Sequence, residues 1–177
     1  MMSQHPHKPR WRVALAAIFL IAAFPVFAEE YLSRDAFLQL AFTDSDPKLQ
    51  TLWLTEERRS ASKDAVGWAP HALRLRYWQA GERTAWILED IGKDQPITLG
   101  VVINGEHIER VEVLAFRESR GWEIRYPFFT SQFSGLTLAN DGYLSQDVDG
   151  ITGATLSVRA TDRVARLALW LNSQVRT

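Results

Sequence analysis

The sequence predicts an α+β domain, an antiparallel sheet of about four to six strands with helices packed around it. Three observations predict it. From His71 to Phe116 apolar and polar residues alternate at period two, and clusters of turn-forming residues punctuate the alternation. After Ser157 the apolar positions Val158, Val164, Leu167, Ala168 and Leu171 recur at three- and four-residue steps, the period of a helix with one buried face. Ahead of the sheet, Phe37, Leu38, Ala41 and Phe42 repeat at helical spacing as well.

Taken in order, residues 1–28 read as a signal peptide. Lys8, Arg10 and Arg12 supply its positive start, and Val13 to Phe24 is an unbroken apolar run ended by Pro25. Val26-Phe27-Ala28 then places small residues where a signal peptidase reads. The run is shorter than the ~20 residues of a membrane-spanning helix, so cleavage and export are expected, with an uncleaved anchor as the alternative. Arg10-Trp11-Arg12 is not a twin-arginine pair, which implies export as an unfolded chain.

Residues 29–69 read as a helical N-terminal extension. A first helix is expected from Glu29 to about Leu54, capped by Ser33 or Asp35 and broken at Thr43-Asp44-Ser45-Asp46-Pro47. A second, polar helix is expected from about Glu56 to Val66. Its Glu56, Glu57, Arg58, Arg59, Lys63 and Asp64 have the pattern of a solvated face.

Residues 70–177 form the main domain. Leu73, Leu75 and Tyr77 alternate with Arg74, Arg76 and Trp78, and Ala80-Gly81-Glu82-Arg83 turns the chain. Thr84 to Glu89 is the next strand and Gly92-Lys93-Asp94-Gln95-Pro96 the next turn. Ile97 to Ile103 follows, Asn104-Gly105 is a hairpin turn, and His107 to Phe116 returns. Arg117-Glu118-Ser119-Arg120-Gly121-Trp122 interrupts the pattern directly after a strand, as a binding loop on a scaffold does, or a surface turn with an ion pair. Phe128, Phe129 and Phe133 read as core.

Composition narrows the function. The chain has 177 residues, 46% hydrophobic and 23% charged, ordinary values for one globular domain with a real core. It contains no cysteine, which excludes disulfides, thiolate metal sites, cysteine nucleophiles and iron–sulfur clusters. Three basic and no acidic residues precede Glu29, leaving 17 basic against 21 acidic groups, a net charge of −4 that argues against nucleic acid. A nucleophilic hydrolase needs a base beside its hydroxyl, and beyond residue 28 only His71 and His107 are histidines, neither in a recognisable motif.

The stretch that carries chemistry is Asp149-Gly150-Ile151-Thr152-Gly153-Ala154-Thr155-Leu156-Ser157. Hydroxyls and small residues crowd a loop that opens a helix, where unpaired N–H groups and the helix dipole favour an anion such as phosphate. Gly153 and Ala154 leave room for a bulky group to approach the backbone. The plainer alternative is a helix capped by Thr152, Thr155 or Ser157, in a cell-envelope binding or scaffold module without redox chemistry.

Asp149 to Thr155 resembles, letter for letter, the Asp-Gly-x-(Ser/Thr)-Gly-Ala-Thr motif of the FMN-binding domain family, to which flavin subunits of the sodium-pumping NADH:quinone reductase and of the Rnf complex belong. The resemblance covers roughly residues 70–177. It implies FMN joined by a phosphoester to Thr155, with Asp149, Gly150, Thr152, Gly153, Ala154 and Ser157 around it. It also implies a maturation partner, a magnesium- and FAD-dependent flavin transferase, for which Asp149 helps bind the metal–FAD substrate. Glu118, Gly121 and Trp122 match a family loop that lies against the flavin ring, although the Thr-Pro that follows the glutamate in the respiratory subunits is absent here. Glu118 is then expected to accept from a ring N–H or a ribityl hydroxyl, and Trp122 to flank the ring. Gln132, Phe133 and Gly135 also look like family residues. The implied function is a periplasmic electron carrier, not itself an enzyme, fed by a membrane electron-transfer protein.

Overall fold

The computed structural model describes residues 29–176, so the expected signal peptide lies outside the described residues. Six strands form one antiparallel sheet: β1 (Glu29–Glu30), β2 (Lys48–Trp53), β3 (Arg74–Ala80), β4 (Arg83–Ile91), β5 (Pro96–Asn104) and β6 (His107–Phe116). Their order is β1-β6-β5-β4-β3-β2. The helices are α1 (Arg34–Ala41), α2 (Glu56–Val66), α3 (Pro127–Thr130) and α4 (Thr155–Ser173), with 3-10 turns at Trp122–Arg125 and Ser131–Phe133. The α+β reading and the meander from β3 to β6 hold.

The period-two alternation divides the sheet into two faces. Trp86, Leu88, Val101 and Ile103 join the larger core with Ala160, Val164, Leu167 and Leu171 of α4. Ala85, Val102 and Leu114 point the other way and pack with Phe37 and Ala41 of α1 and with Phe42 just after it. The Phe37 ring comes close against the sheet because Gly100 has no side chain, and a β-carbon there would sit 2.5 Å from the phenyl ring.

The all-helical reading of the N-terminal extension needs correction. α1 and α2 are present, capped by Ser33 and Thr55. However, Glu29–Glu30 and Lys48–Trp53 are strands, and they supply both edges of the sheet. In Lys48–Trp53 only Leu52 is buried, while Leu49 and Trp53 are 53% and 59% exposed. These residues look helical by spacing, but an edge strand leaves them outside. Nor is the polar face of α2 wholly solvated. Arg59 donates to the carbonyls of Pro70, His71 and Ala72, each at 3.1 Å, and Arg58 donates to Trp53 O at 2.9 Å.

α4 is fastened at its far end by a buried polar chain. Trp86 Nε1 donates to Thr84 Oγ1 at 3.0 Å, and Thr84 Oγ1 donates to Asn172 Oδ1 at 2.7 Å. Asn172 Nδ2 donates to Gly105 O at 2.9 Å. Thr84 and Asn172 are each 1% exposed, so losing one partner strands the others in the core. Asn172→Ala is expected to cost about 1–3 kcal/mol, read as a lower urea midpoint with an unchanged slope. A wild-type midpoint would show that the chain of bonds contributes nothing.

Candidate functional site

The site forms where the end of β6 meets the start of α4. After Phe116 the chain leaves the sheet through Arg117, Glu118, Ser119 and Arg120, then turns at Gly121 into the 3-10 turn at Trp122–Arg125. Gly121 has φ +91, in the left-handed region that side chains avoid. A β-carbon on it would lie 2.5 Å from Ser157 Oγ and 3.4 Å from Ala154 Cβ. Glycine at 121 is therefore what allows this loop to seat against the first turn of α4. Ser157 and Ala154 are correspondingly buried, at 4% and 3% exposure.

Thr155 is the first residue of α4, and it is exposed. The residue before it, Ala154, occupies the capping position, and no side chain caps this helix. Ser33 accepts from Ala36 N, and Thr55 from Arg58 N, at the starts of α1 and α2. The reading of Thr152, Thr155 or Ser157 as a cap is thus not realised. The opening N–H groups of α4 remain available to an outside acceptor. Gly153, with φ +85, gives the approach its turn and leaves open space where a side chain would stand.

Two adjoining clefts meet over the Glu118 loop. The first, about 350 Å³, is lined by Lys93, Glu118, Ser119, Arg120 and Gly153 to Ser157. The second, about 390 Å³, is lined among others by Glu29, Tyr31, Gln95, Glu118, Ser119 and Trp122. Glu118 and Ser119 belong to both, so the clefts run into one another. Two of the second cleft's lining rings share a cation outside it: the Arg125 guanidinium lies over the Tyr31 ring at 4.2 Å and over the Trp122 ring at 5.1 Å, and over the Tyr126 ring at 5.1 Å as well. Tyr31 donates its hydroxyl hydrogen to Glu29 at 2.9 Å. Burial first, and then that bond, raise its pKa above the usual phenol value, against the pull of Arg125.

Of the residues singled out from the sequence, Glu118, Gly153, Ala154, Thr155 and Ser157 line one cleft. Trp122, 40% exposed, lines its neighbour, and Gly121 lies buried beneath. Asp149, Gly150 and Thr152 sit on the exposed lead-in to α4 and do not line either cleft. Among the described residues Glu118 has no ion-pair partner; its Oε1 accepts the backbone N–H groups of Lys93, Asp94 and Gln95. Phe129 and Phe133 are core and pack edge to face at 5.5 Å, whereas Phe128 is 60% exposed, contrary to the core reading.

Sequence reasoning missed Lys93 and Leu156 as lining residues, and it placed Ser119 and Arg120 in the candidate binding loop without giving either a role of its own. It also flagged Gln132 without giving it a role. Gln132 Oε1 accepts the Asp149 N–H at 2.7 Å, which anchors the lead-in to the Thr155 loop. Nothing local in the sequence announces either arrangement, because each joins residues 17 to 25 positions apart.

Residues 92–169 match the family model of the FMN-binding domain. No curated protein matches the chain. The matched stretch holds every lining residue of the first cleft, and of the residues named for the second only Glu29 and Tyr31 fall outside it. An uncapped helix start beside two cations, opening into an aromatic-walled cleft, suits a ligand with a phosphate at one end and a flat ring at the other. Residues 92–169 of this chain are thus similar to the FMN-binding domain family, and that match supports FMN as the cofactor of the site.

Proposed function

We propose that the chain is an exported electron carrier whose FMN is attached through a phosphoester to Thr155. The observation that carries this reading is the placement of Thr155. Its exposed hydroxyl stands at an uncapped helix start, in the cleft shared with the Glu118 loop. A phosphate on Thr155 takes the place of the missing cap, and the opening N–H groups and dipole of α4 stabilise its charge. From there the neighbouring cleft, walled by Tyr31 and Trp122, is the surface within reach of the ring.

A threonine hydroxyl is a poor nucleophile at neutral pH, so attachment needs a separate magnesium-dependent flavin transferase. The bond from Thr155 Oγ to the FMN phosphorus forms and the phosphoanhydride of FAD breaks. AMP leaves, and a base of the transferase takes the hydroxyl proton. Export fits this order. The leader expected in residues 1–28 sends the chain across the membrane unfolded, and a covalent bond made afterwards keeps a cofactor that would otherwise diffuse away in the periplasm.

Bound FMN accepts two electrons and releases them singly, which suits a relay between unlike partners. The chain's own residues hold the phosphate, orient the ring and leave its surroundings open to a partner. The sequence has no dinucleotide-binding fingerprint, so reduction falls to a membrane electron-transfer protein. Purified from a host that has the transferase, the protein is expected to be yellow and to keep its colour after denaturation. Reduction by NADH alone is expected to be negligible within minutes. A colourless product supports the scaffold reading instead, and rapid reduction by NADH overturns the carrier role.

A further inference from the structure

We propose that Lys93 is a ligand of the phosphate at Thr155 and that Glu118 is the residue that positions it. The inference rests on the reading of Thr155 as the attachment site and adds to it two residues from outside the attachment motif.

Glu118 Oε1 receives three consecutive backbone N–H groups, from Lys93 at 2.5 Å, Asp94 at 2.6 Å and Gln95 at 2.8 Å. An oxygen that accepts three hydrogens has its lone-pair directions filled, so this atom is not free to serve a ring N–H. Its work is to fix the β4–β5 turn. Gly92 N donates to Gln95 O at 3.1 Å to close that turn, and Gly92 makes room for the carboxylate, since a β-carbon there would stand 3.0 Å from Glu118 Oε1.

The flanks of the turn are held as firmly. Arg163 of α4 binds Asp90 Oδ2 at 2.6 Å and Ile91 O at 3.2 Å. Arg117 donates to Pro96 O at 3.1 Å and to Thr98 Oγ1 at 2.9 Å. A turn pinned on both sides and from within gives its side chains set directions. Lys93 lines the Thr155 cleft, whereas Asp94 and Gln95 line the second.

Charge favours the assignment. Lys93 and Arg120 bring two positive charges to the Thr155 cleft, and among the described residues that line it the one carboxylate is Glu118, engaged with the turn. A phosphodiester brings one negative charge. The present partner of the Lys93 ammonium is the Asp94 carboxylate at 3.4 Å, both side chains largely exposed. Such a surface pair is weak, so a phosphate held on a helix start displaces it readily. A compact ammonium suits a phosphate approached as a point charge.

The test is a double-mutant cycle on the mature full chain, with purified transferase, FAD and magnesium. The readouts are the initial rate of flavin attachment and the 31P shift of the attached phosphodiester. Lys93→Gln is expected to slow attachment about tenfold and to move the 31P resonance. Lys93→Arg is expected to retain most of the rate. Glu118→Ala is expected to match Lys93→Gln and to add nothing in the Lys93→Gln background. Glu118→Gln, which keeps an acceptor oxygen for the turn, is expected to stay near wild type.

Wild-type rate and shift in Lys93→Gln overturn the inference and leave attachment at Thr155 standing. Equal effects of Glu118→Ala in both Lys93 backgrounds overturn the positioning role. Inorganic pyrophosphate titrated into the unmodified protein supplies the independent arm. If wild type takes up no flavin, binding weakened about tenfold in Lys93→Gln upholds the anion seat while the attachment reading fails. Pyrophosphate binding that ignores Lys93, or no binding, overturns the anion seat itself.

Discussion

Thr155→Val is expected to abolish covalent flavin while leaving the fold intact. Valine keeps the branched shape of threonine and removes only the hydroxyl. Thr155 is exposed and opens α4, so the substitution neither empties the core nor breaks a cap. Stability is expected to stay within about 0.5 kcal/mol of wild type, as for surface changes away from packing or capping groups. Thr155→Ser, which keeps a hydroxyl one methyl smaller, is expected to accept flavin at a reduced rate. Ser157→Ala is the sharper control. Ser157 is 4% exposed and its oxygen faces the Gly121 backbone, so its loss is expected to leave most of the flavin in place. Mass spectrometry of the flavin peptide decides the matter. Flavin on Ser157 or Thr152, or full flavin in Thr155→Val, places the bond elsewhere.

The parts of the molecule legible in the sequence are those whose signals are local. β3 to β6 announce themselves because alternation, Gly81 and the Asn104-Gly105 turn all agree, and each strand pairs with its sequence neighbour. α4 is legible because its buried face repeats without interruption from Ala160 to Leu171. β2 is not, because an edge strand with exposed Leu49 and Trp53 carries apolar residues at spacings that mimic a helix. β1 is two residues long, too short for any period to show.

The same division runs through the candidate site. The Thr155 motif and the loop ending in Gly121 are local strings and can be read as such. Their meeting cannot be read, because it depends on β6 returning between β5 and the β1 edge while α4 packs across one face of the sheet. The bond from Glu118 to the 93–95 turn also has no local signature. A glutamate that folds back onto backbone N–H groups more than twenty residues earlier looks, in sequence, like any exposed glutamate. That is why a ring contact was the natural expectation for Glu118, and why its engagement with the turn emerges only from the fold.

Gly121→Ala is expected to be the most damaging single-methyl change near the cleft. Two costs coincide there. A residue with a β-carbon at φ +91 costs on the order of 1–3 kcal/mol. Its methyl group would also stand 2.5 Å from Ser157 Oγ and 3.3 Å from Ser157 Cβ. Relieving that overlap costs roughly another 1–3 kcal/mol. Ser157 sits on α4, a helix anchored at its far end by Asn172 and at its middle by Arg163, so the helix cannot slide away to make room. The loop must yield, and with it Ser119 and Trp122, which line the two clefts. A drop of about 5–15 °C in melting temperature is therefore expected, together with slower flavin attachment even at temperatures where the variant is folded. Ser157→Gly in the Gly121→Ala background removes the clashing side chain. It is expected to restore part of the attachment rate although glycine in a helix lowers stability further. A Gly121→Ala protein with wild-type melting and wild-type attachment would show that the loop does not depend on close seating against α4.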